Sequence, residues 1–185
     1  MFIKIAASVA LIVGLMGSAT AATKAEQQAE VRTTSKQILN QLYKARPSAR
    51  GAVTAAVGYA TFSNFGMKLF VAGGGGGSGL AFNNKTKQEV FMKMLEVQAG
   101  LGFGIKKFRV IFIFETEKAF NDFVNSGWEF GGQTTAAATD GKHGGALQGA
   151  VSVMPGVWMY QLTDKGLALE LTGKGTKYYK NDDLN

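Results

Sequence analysis

The 185-residue chain contains no cysteine, one histidine and two prolines. Without cysteine there is no disulfide framework, no cysteine metal site and no thiol for lipidating a bacterial N-terminus. A lone His143 excludes histidine-rich metal centres and leaves little for acid–base work near neutral pH. Carboxylates are scattered in the same way. Glu115 and Glu117 bracket a helix start, where acids are stabilised without catalytic purpose. Asp140 and Asp164 lie in glycine turns, and Asp182 and Asp183 lie in a polar tail. No pair has the spacing that would impose a hydrolytic geometry. Ser78 and Ser152 lack the strand–turn–helix elbow of a serine nucleophile. The expectation is a non-enzyme with no cofactor, no metal and no catalytic residue.

What the chain does have is glycine, apolar side chains and positive charge. Its 25 glycines are roughly twice the usual ~7%. At 46% hydrophobic it has material for a real core. Met1–Lys4 forms a short positive region, Ile5–Met16 is an apolar run, and Ala19-Thr20-Ala21 is a small–x–small cleavage pattern. This reads as a signal peptide over residues 1–21, with a mature protein that is periplasmic or secreted.

Ala22–Ala45 reads as a helix with Val31, Ile38, Leu42 and Ala45 on one narrow face. Pro47 stops it and permits a second, alanine-rich helix over Ser48–Val57. Strands are expected over Phe62–Val71, Leu80–Phe82 and Val90–Val97, with turn chemistry at Asn83–Lys87. Ala99–Ile105 alternates glycine with larger residues and reads as a strand with Gly100, Gly102 and Gly104 on one face. Val110–Phe114 is uniformly apolar, so both of its faces should be covered. Thr116 resembles an N-cap for a helix over Glu117–Ser126, stopped by Gly127. Gly131–Gly149 reads as a loop. Val157–Leu162 and Leu167–Thr172 should form a hairpin. The fold class is α+β: N-terminal helices packed on a twisted, glycine-rich antiparallel sheet curling into a barrel-like body, with one inserted helix.

Gly74–Gly79 formally contains G-x-G-x-x-G, with Glu96 at a suggestive distance. A dinucleotide site needs a helix after the glycines, and Leu80-Ala81-Phe82 reads as strand. The charge is more informative. Residues 22–50 hold Lys24, Arg32, Lys36, Lys44, Arg46 and Arg50 against Glu26 and Glu30, net +4 of the +7 on the whole chain. A basic amphipathic segment suits an anionic lipid surface. Lys106, Lys107 and Arg109 form a second cluster at the start of the apolar strand, where they also protect an edge. Nucleic acid would suit the charge but not an exported location, and none is expected as a partner.

The order of motifs resembles the SYLF domain, or Ysc84-like family, from about Ala45 to Asn185. The resemblance is carried by Pro47, Ala56-Val57-Gly58 leading to Tyr59–Phe62, Gly73–Gly79 followed by Leu80, and Ala99–Gly104. It continues through Phe112-Ile113-Phe114, Thr116–Phe120 with Phe123, Ser126-Gly127-Trp128, and Tyr160 with Lys165-Gly166-Leu167. Where the family often has proline after its first strand, this chain has Ser63. The resemblance implies lipid binding. Eukaryotic relatives bind phosphoinositides and some bind actin, whereas bacterial relatives with signal peptides are taken as lipid-binding envelope proteins, for which actin is not expected. The organisation then reads as a leader (1–21), a basic amphipathic helix (22–46) and one SYLF-like lipid-binding domain (47–185). The expected role is an exported lipid-binding protein, peripherally associated with anionic phospholipid membranes. The alternative is a structural or interaction component of the cell envelope with a protein partner. On electrostatic grounds the lipid-binding residues are Arg32, Lys36, Lys44, Arg46, Arg50, Lys106, Lys107 and Arg109.

Overall fold

The structure, a computed structural model, describes residues 22–69, 72–99, 104–130, 147–164, 166–168 and 175–185. Residues 1–21, expected to be a leader, and His143 lie outside them. Helix α1 spans Lys24–Ala45 and opens with a reciprocal cap: the Thr23 hydroxyl accepts from the Glu26 amide, and the Glu26 carboxylate accepts from the Thr23 amide at 2.7 Å. Its narrow apolar face is buried through Val31, Ser35, Ile38 and Leu42. Helix α2, Ala49–Ala55, is shorter at both ends than alanine content suggests. The Val57 amide donates to the Phe114 carbonyl at 2.9 Å, so the sheet captures the backbone before another helical turn can form.

The strands are β1 (Gly58–Leu69), β2 (Ala72–Asn83), β3 (Glu89–Ala99), β4 (Gly104–Phe114), β5 (Trp128–Phe130), β6 (Val151–Met154), β7 (Val157–Thr163), β8 (Gly166–Ala168) and β9 (Thr176–Lys180), with helix α3 (Glu117–Ser126) between β4 and β5. Every pairing is antiparallel. They form one curled sheet in the order β5-β9-β3-β2-β1-β4-β7-β6, with β8 also on β7. The spatial run β3-β2-β1-β4 is a Greek key. The glycine run lies inside β2, with Gly73–Gly79 opposite Lys68–Phe62 of β1, so no helix follows it.

One expectation is overturned here. Ala99–Ile105 is not a single strand: Ala99 ends β3 and Gly104 begins β4, with two strands of the sheet between them. Gly100 and Gly102 lie outside the described residues. Ser63 does not follow the first strand either. It sits within β1, paired with Ser78 and Arg109, where a proline would remove a ladder donor. The expected hairpin is present as β7–β8, with its second strand described only to Ala168.

Alternation along β4 assigns the two faces. Val110, Phe112 and Phe114 belong to one buried cluster, while Ile111 and Ile113 belong to another, so this strand is covered on both sides as its composition predicts. On the inner face, α3 contributes Phe120 and Phe123 to an aromatic cluster with Phe62, Phe112, Trp128 and Tyr178. The Phe62 and Tyr178 rings lie 4.7 Å apart in an edge-on arrangement. Thr116 caps α3, accepting from the Ala119 amide, and Gly127 ends it at φ 68°. On the outer face Ile38, Leu42, Ala49 and Val53 of the first two helices cover Ile111, Ile113, Tyr160 and Leu162.

The C-terminal residues are not the free polar tail that their composition suggests. Leu184 is buried with Val31, Leu80 and Phe91. Asn185 both accepts from the Phe91 amide and donates to the Phe91 carbonyl, at 3.0 and 2.8 Å. Lys24 and Gln28 of α1 donate to the Asn185 and Leu184 carbonyls at 2.8 and 2.7 Å. The end of the chain thus clasps the start of α1 to the sheet.

Candidate functional site

The eight cations expected to meet lipid do not form one cluster. Lys36, Lys44 and Arg50 are exposed on the helical layer. Arg32 is half-buried: its Nε donates to Glu89 Oε2 at 2.7 Å, and its guanidinium lies 5.0 Å from the centre of the Phe91 ring. Arg46 donates to Gln148 Oε1 at 3.1 Å, and Arg50 lies over the Tyr43 ring at 4.3 Å. Burial raises the Tyr43 hydroxyl pKa, and Arg50 partly offsets that rise. Lys106 and Lys107 stand opposite Gly66 and Phe65 of β1, just past the last β7 pairing of β4, Arg109 with Leu162.

The helical cations share an unusual setting, because no Asp or Glu occurs anywhere from Val31 to Gln88. Among the described residues the one ion pair on this layer is that of Arg32 with Glu89, from later in the chain. The apolar face of α1 is already covered, with Ile38 2% and Leu42 0% exposed. In this arrangement the helix can attract an anionic surface but has no free apolar stripe to insert.

On the other flank of α1 lies a feature that sequence reasoning missed. A cleft of about 670 Å³ runs between the helix and the sheet, within the range of small-molecule sites, ~300–1,000 Å³. Its floor contains one cross-strand row, Arg109–Ser63–Ser78–Lys93, contributed by β4, β1, β2 and β3. Its wall includes Gln27, Glu30 and Thr34 of α1, and Asn181 and Asp183 close one end. The two cations have exposed partners: Lys93 Nζ meets Asp183 Oδ2 at 2.7 Å, and Arg109 Nη1 meets Asp164 Oδ1 at 3.3 Å. The hydrogen bond between Lys93 and Asp183 raises the ammonium pKa and lowers the carboxyl pKa. Only strand register brings this row together, since its members are 15 to 46 positions apart; no sequence motif marks it. Glu96, at the spacing of a dinucleotide site, is instead buried opposite Gly75 and beside β9.

Among the described residues no group of three or more His, Cys, Asp or Glu is placed to hold a metal ion, and no helix is long and apolar enough to cross a membrane. A curled antiparallel sheet, with two helices on its outer face, an inserted helix inside and a cationic helical layer, makes up an α+β domain. Residues 95–185 match the Ysc84 (SYLF) family, described as Las17-binding protein actin regulator, which places a domain of that family in this half of the chain. Beta cell expansion factor A of Aeromonas veronii is 31% identical over 162 residues, 88% of this chain and 60% of the relative. The chain therefore spans about three-fifths of that relative's length.

Proposed function

We propose that this is an exported, non-enzymatic lipid-binding protein that associates peripherally with anionic phospholipid surfaces. The observation that carries the proposal is the exposure of Lys36, Lys44 and Arg50 on one helical layer within a stretch devoid of acids. Each cation near an anionic surface contributes about 1 kcal/mol, and salt screens the attraction. Because α1 keeps its apolar face on the sheet, contact is electrostatic and shallow. Arg32 is a poor reporter, since reversing its charge would also break the contact with Glu89.

Vesicle co-sedimentation tests this. The protein is expected to bind phosphatidylglycerol vesicles at low salt and to release them as salt rises. The combined variant Lys36→Glu, Lys44→Glu and Arg50→Glu should lose at least about a hundredfold in affinity, from ~1 kcal/mol per cation lost plus the repulsion of the new carboxylates. Binding that is absent, or indifferent to salt and to these reversals, refutes the reading.

A further inference from the structure

Helix α1 divides the charge of the outer face. At ~100° per residue, Gln27, Glu30 and Thr34 fall on its cleft side, while Arg32, Leu39 and Tyr43 fall on the opposite flank. A buried hydrogen bond from Thr61 to Ser35, 2.8 Å, fixes the helix over the strands between the two. On the cleft side, Lys93 and Arg109 already meet carboxylates, and Glu30 stands there as well. On the opposite flank the sheet contributes the row Tyr59–Phe82–Glu89, where Arg32 meets Glu89. Lys36 follows Arg32 by one helical turn and is exposed.

The turn between β2 and β3 belongs to this second flank. The Asn84 amide donates to the Val57 carbonyl at 2.8 Å, and Asn84 Nδ2 donates to the Val53 and Ala56 carbonyls at 2.7 and 2.9 Å. These bonds take up carbonyls at the end of α2, which a helix terminus leaves without partners. They also hold Lys85 and Lys87, both exposed, beside α2. Lys87 has a positive φ of 62°, and its ammonium donates to the Asn84 carbonyl and lies 6.0 Å from the centre of the Phe82 ring. On α2 itself Arg50 lies over Tyr43.

The flank thus holds Arg32, Lys36, Arg50, Lys85 and Lys87 against two carboxylates, Glu89 and Glu117. Glu117 lies 3.5 Å from Lys85 with both side chains well exposed, a pairing too weak to cancel the surrounding positive field. Half-buried rings lie among the cations, with Tyr59 packed on Phe82 at 5.5 Å. Basic side chains with stems on apolar surface and heads in water suit a lipid interface.

We infer that the Asn84–Lys87 turn is a second membrane contact. The domain docks on anionic lipid with the Arg32–Tyr43 flank of α1, Arg50 and this turn facing the headgroups, and the cleft faces away. This rests on the membrane reading above. Cations from two helices and a turn, each with its own neighbours, match separate mobile headgroups better than one small ligand.

The chain has no cysteine, so single cysteines can carry a dye at chosen places. Thr86→Cys places it on the turn, and Gln41→Cys on the exposed cleft-side flank of α1. Phosphatidylglycerol vesicles containing a nitroxide-lipid quencher should quench the dye strongly at Thr86 and weakly at Gln41. In co-sedimentation, Lys85→Gln combined with Lys87→Asn should bind these vesicles about thirtyfold more weakly, from the worth of two cations near the surface. Asparagine tolerates the positive φ at position 87. Lys177→Gln removes an exposed cation opposite Leu95, roughly 20 Å further along β3 than Glu89, and should change binding at most twofold. Wild-type binding that is unaltered in the double variant, or a dye at Gln41 quenched as strongly as one at Thr86, overturns the turn as a contact and leaves the anionic-surface reading standing. Absence of wild-type binding overturns both.

Discussion

Two glycines three positions apart in β2 should respond oppositely to the same substitution. Gly79 lies opposite Phe62, and a Cβ there would overlap the Phe62 ring and approach the Thr61 carbonyl oxygen at 2.6 Å. Phe62 has no room to retreat, since its ring is fully buried and meets Phe112, Phe123 and Tyr178 edge-on. Overpacking of this kind costs about 1–3 kcal/mol. The backbone oxygen cannot yield without breaking register, which places Gly79→Ala towards the upper end of that range. Gly76 points to the cleft, with nothing within 3.9 Å of an added Cβ. There alanine stabilises by about 0.4–1 kcal/mol, by restricting the unfolded chain. For a domain of this size ~1 kcal/mol moves Tm by about 2–4 °C. Gly79→Ala should therefore fall by roughly 4–12 °C, while Gly76→Ala should hold or rise slightly. Thermal and urea unfolding of the two variants, followed by circular dichroism, provides the comparison. Equal shifts, or a larger loss at Gly76, would refute the assignment of faces along β2.

Leu42→Ala, at a position with no exposure, should cost about 2–5 kcal/mol and loosen α1, read by urea unfolding. Leu184→Ala should increase protease cutting near the start of α1, because Leu184 packs on Val31; unchanged cutting would remove the clasp. Burial raises the hydroxyl pKa values of Tyr59 and Tyr160 from the ordinary 10 to about 12. Their neutral forms therefore support the fold below pH 10, and this support is lost as pH rises through about 12. An ultraviolet titration should show these tyrosines ionising late and together with unfolding. In acid the sign reverses. Glu26 is held below its ordinary 4.5 by the Thr23 amide and hydroxyl, and Asp183 below 3.8 by Lys93. Their contributions are present above those ordinary values and disappear as pH falls through the lowered ones, so the clasp and the helix cap should fray first on acidification, measurable by amide exchange.

Local signals in the sequence identified α1, α3, the both-sided burial of β4 and the β7–β8 turn, because each depends on neighbours a few positions away. Thr116 as cap and Gly127 as stop are examples. The features that were not legible depend on register between distant strands. β9 is five residues, Thr176–Lys180, mixing exposed lysines with buried Tyr178, and it becomes a strand only beside β3. Asn181–Asn185 has the composition of a solvated tail, yet its backbone carbonyls satisfy Lys24 and Gln28. The cationic helix was legible as charge, but whether its apolar face was free depended on Ile111, Tyr160 and Leu162, over a hundred residues away in two cases. The cleft was invisible for the same reason.

The Greek key carries a length constraint. Only five peptide steps join Ala99, at the end of β3, to Gly104, at the start of β4, a reach of at most about 17–18 Å. In a flat sheet those ends would stand about 14 Å apart, with the tip of the β1–β2 hairpin between them. Five steps exceed that distance only slightly, and rolling the sheet brings the two ends closer. Gly73 to Gly77, which lie along the hairpin arm nearest this crossing, offer no side chains to resist the roll. The glycine run in β2 is then less a feature of flexibility than the mechanical condition for ending β3 and starting β4 only five steps apart.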